Sequence, residues 1–198
     1  MHVDLATAPA GTTGRPASGS GTAPESGAVS ARPAAADDLK NAFRSHPAGV
    51  NLITADDGSG PVAMTVTSLI SVSAEPPLMA FSASALSSAT PTLLQAETVV
   101  VHFLAPAQIE LAKLGATSGV DRFADRSQWT RLADGTPVFH DCDFWIRTKV
   151  VNKMTAGGST VFLLEALECA DCERSAEAPA LVYRNRTWHA LEQHSSIG

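Results

Sequence analysis

The chain has 198 residues, 44% of them hydrophobic, with 14 basic and 20 acidic side chains and a formal charge of −6. That length fits about one domain with a sizeable core. No basic stripe for nucleic acid is visible, no apolar run is long enough for a membrane helix, and three cysteines make no disulfide framework.

Residues 1–36 are Ala, Gly, Pro, Ser and Thr with almost nothing large and apolar. So little burial cannot offset ordering entropy, which predicts a mobile tail, helical close to residue 36. The opening residues have neither a basic n-region nor an apolar h-region, so a cytoplasmic protein with reduced thiols is expected. The folded domain is expected over residues 37–192, followed by a short tail over 193–198.

Within the domain, "DDLKNAFRSHPAGV" opens with Asp37 or Asp38 as a helix cap, carries an apolar stripe of Leu39, Ala42 and Phe43, and stops at Pro47 and Gly49. "VNLITA" reads as a strand, "DDGSGP" as a turn, and "GPVAMTVTSLISVS" as a second strand. "LMAFSAS" follows Pro76 and Pro77 as a third strand. In "TPTLLQAE", Thr90 caps a helix with Pro91 in its first turn. "TVVVHFL" is a buried strand and "PAQIELAKLGA" a helix opened by Pro106 and closed by Gly115. After the polar loop "GVDRFADRSQW" come "FHDCDFWIRTKVVNKM", "STVFLLEALECA", "ALVYR" and "NRTWHAL" as strands. About seven strands with three short helices and hairpin-like connections favour a mainly β, antiparallel barrel. No G-x-G-x-x-G follows any strand, which argues against a Rossmann site.

The second strand poses a question. One parity holds Met64, Val66, Ile70 and Val72, interrupted by Ser68, and the other holds Thr65, Thr67, Ser71 and Ser73. Alternating Thr and Ser is most often a solvent face. Between Pro61 and Ala74, however, there is no charge at all, and uncharged hydroxyls suit a phosphate, a polyol chain or a pyrimidine edge. Other candidates are weaker. Cys169-Ala170-Asp171-Cys172 is a lone C-x-x-C without a second pair, and His46, His140 and His189 lack metal-ligand spacing. Trp129, Phe144, Trp145 and Tyr183 read first as packing residues. Arg122 can meet a phosphate or pair with Asp121 or Asp125.

The order "FRSHPAGVNLIT", "GPVAMTVTSLISVSAEPPL", "SSATPTL", "DRF" and "PALVYRNRTWHAL" resembles the flavin reductase-like family, the FMN-binding split-barrel proteins, over about residues 38–191. The resemblance implies a six- to seven-stranded Greek-key split barrel, a homodimer, and FMN or FAD bound near the subunit interface. It implies that Met64, Thr65, Val66, Thr67 and Ser68 lie along the flavin, with Thr65, Thr67 and Ser68 hydrogen-bonding it. Ser82, Ala83 and Ser84, with the turn Ser87, Ser88, Ala89 and Thr90, would approach the phosphate. Asp121, Arg122 and Phe123 would close over the site, and His102 stands where the family often has Asn. The implied activity is hydride transfer from NADH or NADPH to flavin, supplying a partner flavin-dependent monooxygenase. It needs no triad, acid pair or metal, because the cofactors carry the reaction.

One segment departs from the family pattern. Gly158 and Ser159 stand in "AGGST" where the family commonly has Asp and His. Two readings stay open on that segment: an NAD(P)H-dependent flavin reductase, or a flavin-binding carrier, sensor or auxiliary factor without reductase activity. A third places another ligand, such as a deazaflavin or haem, in the same barrel.

Overall fold

The computed structural model describes residues 31–140, 142, 144–170 and 178–197. Residues 1–30 of the tail expected over 1–36, and the second cysteine of the C-x-x-C, Cys172, lie outside the described residues. A compact unit runs from Ala35 onward. Helix α1 spans Ala36–Ser45, two or three residues earlier than a cap at Asp37 or Asp38 would give. The reason is that the Asp38 carboxylate reaches back to accept the Ala35 N–H at 2.8 Å.

Among the described residues, twelve strands follow in three sheets. They are β1 Ala48–Gly49, β2 Asn51–Asp56, β3 Pro61–Val66, β4 Ile70–Ser73, β5 Leu78–Ser84 and β6 Thr98–Phe103. Beyond them lie β7 Trp129–Arg131, β8 Pro137–Phe139, β9 Trp145–Ala156, β10 Ser159–Cys169, β11 Ala180–Arg184 and β12 Thr187–Leu191. Helix α2 is Thr90–Gln95 and α3 is Ile109–Ala116. The main sheet is antiparallel in the order β3-β2-β6-β9-β10-β5-β4.

That order forces closure. The sheet's two edge strands, β3 and β4, are joined only by Thr67, Ser68 and Leu69. Four Cα steps reach at most about 14 Å, whereas seven strands laid flat are roughly 29 Å across. The sheet must therefore curl until its edges nearly meet, which makes a barrel. The stretch expected as one strand over residues 60–73 is accordingly two, because the chain leaves one edge at Val66 and joins the other at Ile70. The expected strand from Phe139 is likewise divided into β8 and β9, with Cys142 buried between them.

Two cores follow from strand parity. Ile53, Ala55, Val66, Phe81, Ala83, Val99, Val101, Phe162 and Leu164 point into the barrel, where Phe81 and Phe162 stack at 4.9 Å. Leu93 of α2 and Ala96, which caps its end, pack against this cluster. The opposite parity, with Leu52 and Ala63, packs outward under α3, Phe123, Trp129 and Phe139. Gly115 permits the α3 contact: a Cβ there would collide with Leu52 Cδ1 and Thr65 Oγ1. No helix among the described residues is long and apolar enough to cross a membrane.

Candidate functional site

The crossing Thr67–Leu69 lies at the barrel seam, and the candidate residues sort around it. The Ser68 hydroxyl donates to Ser82 O at 3.1 Å and accepts the Ser82 N–H at 3.0 Å, joining the two sides. Thr67 is exposed, and its hydroxyl has no hydrogen-bond partner among the described residues. Along β5, Phe81 and Ala83 fill the barrel, so Ser82 and Ser84 take the other face. Antiparallel register sets Ser84 opposite Ser159 and Ser82 opposite Val161. Ala85 N–H donates to Gly158 O at 2.9 Å, which ties the "AGGST" turn to the end of β5. The fold thus brings Thr67, Ser68, Ser82, Ser84 and Ser159 to one surface.

Beyond Ser84 the chain makes a tight polar turn. Thr90 Oγ1 donates to Ser84 O at 2.7 Å, Ser87 Oγ accepts the Ala89 N–H at 3.3 Å, and Ser84 Oγ accepts the Leu86 N–H at 3.2 Å. Ser88 is exposed beside them, while Thr90 is buried. Thr90 is the first residue of α2 and not its cap, a place taken by Ala89.

Other sequence candidates go elsewhere. Met64 and Val66 pack into the barrel core, as does Ala83, so only their backbone faces outward. Thr65 Oγ1 donates to Ala112 O at 2.6 Å and is occupied by α3. His102 is fully buried, with Nδ1 3.1 Å from Leu52 O and Nε2 accepting the Phe139 N–H at 3.1 Å. Both ring nitrogens are thereby used by the backbone of other strands. Burial pulls its pKa down to about 4, against a smaller upward pull from the Leu52 carbonyl.

In the segment expected to close over the site, Phe123 is built into the outer core, Arg122 is half-buried and Asp121 is exposed. Phe123 is buried, edge-on to Trp129 at 4.9 Å and 5.2 Å from Phe139. Trp129 Nε1 donates to Phe123 O at 3.0 Å, and Arg126 covers the Trp129 ring at 4.8 Å. The Asp121 carboxylate accepts the Phe123 N–H at 2.9 Å. Arg122 donates to Leu114 O at 3.3 Å and Thr117 O at 2.6 Å, and so closes the end of α3.

The seam opens onto a cleft of about 850 Å³. Thr67, Ser68, Leu69, Ile70 and Ser82 form one wall. The other is the end of α1 and the β11–β12 hairpin, with Lys40, Arg44, His46, Tyr183, Arg184 and Arg186. Sequence reasoning assigned no role to this second wall. The available signal was Asn185-Arg186, a turn dipeptide between two strands, which faces α1 only once β1 pairs with β11. A second, more apolar cavity of about 670 Å³ lies by Leu69, Met79, Phe103, Ile146 and Leu181.

Comparison with known proteins agrees with this architecture. Residues 43–192 match the flavin reductase like domain. The NADH:FMN oxidoreductase of Rhodococcus qingshengii is 40% identical over 153 residues, which is 76% of this chain and 80% of that protein. A flavin reductase domain protein from Arthrobacter sp. FB24 superposes with a TM-score of 0.73 at 27% identity, covering 78% of this chain and 94% of that one. BorF, the flavin reductase component of a bacterial two-component tryptophan halogenase, gives 0.70 at 28% identity, over 80% and 99%. By its closed barrel, its seam and these matches, the chain belongs to the flavin reductase-like family.

Proposed function

We propose that this chain is an NAD(P)H-dependent flavin reductase that passes hydride to FMN or FAD and supplies the reduced flavin to a partner monooxygenase. The observation that carries the reading is the cleft at the seam, where Thr67 offers a free hydroxyl beside Ser68 and Ser82. Its volume of about 850 Å³ lies within the range of small-molecule sites. Leu69, Ile70 and Tyr183 give apolar surface for a ring, and the hydroxyl row gives uncharged donors and acceptors for its polar edge. These residues fit a flavin.

Bound flavin supplies the hydride-accepting atom, N5. The chain's work would be to bind and orient the two cofactors and keep water from the reacting atoms. Thr67 and Ser68 orient the flavin edge, and the Ser68–Ser82 pair holds the wall rigid. Ser84, Ser87 and Ser88 stand where the resemblance puts the flavin phosphate. No group of three or more metal-ligating side chains occurs among the described residues, and hydride transfer between cofactors calls for none.

The reading extends to a homodimer in the cytoplasm. Helix α1 buries none of its residues, leaving Leu39 and Phe43 exposed, and Ile70 and Val72 are exposed beside the cleft. Such apolar surface suits a second copy. Light scattering at micromolar concentration should give twice the chain mass. For the activity itself, purified protein mixed with NADH should bleach its absorbance on addition of FMN or FAD. A rate no greater than that without protein removes the reductase reading and leaves a flavin binder.

A further inference from the structure

The cationic wall of the cleft carries an inference that goes beyond the flavin site and rests on the reductase reading. The whole chain has 14 Lys and Arg and a net charge of −6, yet Lys40, Arg44, Arg184 and Arg186 all line this one cleft, and no Asp or Glu lines it. The wall is fixed in place. Asn185 N–H donates to Arg44 O at 2.7 Å, and Arg184 Nε donates to Ser45 O at 2.9 Å, which ties the hairpin to the end of α1. Arg44 and Arg186 have no side-chain partner among the described residues. Lys40 is paired with Asp37 at 3.0 Å, so the two free arginines are the stronger anion ligands.

The turn itself is a second, independent observation. Asn185 and Arg186 both have positive φ, 50° and 61°. A two-residue hairpin of this hand favours Asn-Gly, and a long side chain at the second position carries backbone strain. The hairpin sets a guanidinium where glycine is the relaxed choice, and that guanidinium lines the cleft.

We infer that Arg44 and Arg186 bind the diphosphate of the nicotinamide dinucleotide, across the cleft from the Thr67–Ser82 wall. A diphosphate offers acceptor oxygens to forked guanidinium donors, while the flavin phosphate is directed to the Ser84–Ser88 end. The dinucleotide would thereby be held opposite the flavin wall, as hydride transfer requires.

Steady-state kinetics on the full chain tests this with Arg44→Gln and Arg186→Gln, and with Lys113→Gln as a control that removes one charge on α3. ADP-ribose, which has the diphosphate but no nicotinamide, serves as probe. Each arginine variant should raise the KM for NADH about tenfold, with kcat and the KM for FMN unchanged. The inhibition constant of ADP-ribose against NADH should rise by the same factor, and Lys113→Gln should change neither. An unchanged KM for NADH overturns the inference, as does a rise confined to the KM for FMN, which would give the wall to the flavin phosphate. ADP-ribose binding by calorimetry needs no turnover. It therefore separates loss of this inference from loss of the reductase reading: wild-type binding that the arginine variants abolish supports the inference even in a chain that oxidises no NADH, and binding that they leave intact overturns it.

Discussion

Three hydroxyls of one short stretch meet three fates. Thr65 is held by the Ala112 carbonyl, Ser68 by both backbone groups of Ser82, and Thr67 by nothing among the described residues. Alternation placed Thr65 and Thr67 on the polar parity, with Ser68 interrupting the apolar one, but which neighbour each meets depends on α3 and β5, distant in sequence. Thr67→Val should raise the FMN dissociation constant roughly three- to thirtyfold with little effect on stability. Thr65→Val should do the reverse, costing about 1 kcal/mol of stability and leaving FMN affinity intact. Fluorescence titration and urea unfolding of both proteins check this, and equal FMN affinity in wild type and Thr67→Val would take the flavin away from this wall. His102 shows the same dependence on distant neighbours, its ring meeting Leu52 and Phe139 backbone. Its buried ring is neutral, with a pKa of about 4 against 6.5 when unfolded. The unfolded chain therefore binds the proton more readily between those values. Stability from this group is complete above about pH 6.5 and is lost as the pH falls toward 4. At about 1.4 kcal/mol per pH unit, that gap is worth roughly 3 kcal/mol. His102→Gln should be less stable at pH 7 and show a flatter decline through this window. Parallel declines in the two proteins would mean that another group sets the acid limb.

Helices and loops show where local pattern suffices and where it does not. The starts and stops of α1, α2 and α3 were legible within about three residues, because aspartate, proline and glycine act locally. The path of the Asp121–Phe123 loop was not. An aromatic in a polar loop can cover a ligand or enter a core, and the choice here lies with Trp129 and Phe139, which share the outer cluster with it. Gly115 is the element-scale case with a sharp consequence. Helix propensity alone favours Ala over Gly by about 1 kcal/mol. The added methyl would meet Leu52 Cδ1 and Thr65 Oγ1 and lie 3.1 Å from the Thr65 backbone nitrogen. The side chains can yield, but the backbone of β3 cannot without disturbing its pairing with β2. Gly115→Ala should therefore destabilise by about 1–3 kcal/mol, read from its urea midpoint. A stabilised variant would show that α3 is loosely seated and that propensity governs there.

At the scale of the molecule, barrel class was readable from hairpin spacing and the motif order, while the full strand count and closure were not. Closure depends on which strands become edges, and the chain hides this by running from one edge to the other in three residues, Thr67, Ser68 and Leu69, that look like continued strand. The same hidden crossing is why the site was legible as a set of hydroxyls but not as a cleft: its second wall, from α1 and the β11–β12 hairpin, faces the seam only in the closed fold. Closure makes Ser68 a joint as well as a wall, since one hydroxyl serves both backbone groups of Ser82. Ser68→Ala removes the acceptor of the Ser82 N–H and the donor to its carbonyl together. Each such loss typically costs about 0.5–1.5 kcal/mol. Stability and FMN affinity should therefore fall together in Ser68→Ala, whereas Thr67→Val should move affinity alone. Amide hydrogen exchange localises the effect: the Ser82 N–H should exchange faster in Ser68→Ala, while Val101, in β6 three strands away from β5, keeps its protection. If the Ser82 amide stays as protected as in wild type, the seam is held by strand packing, and the serine belongs to the ligand wall alone.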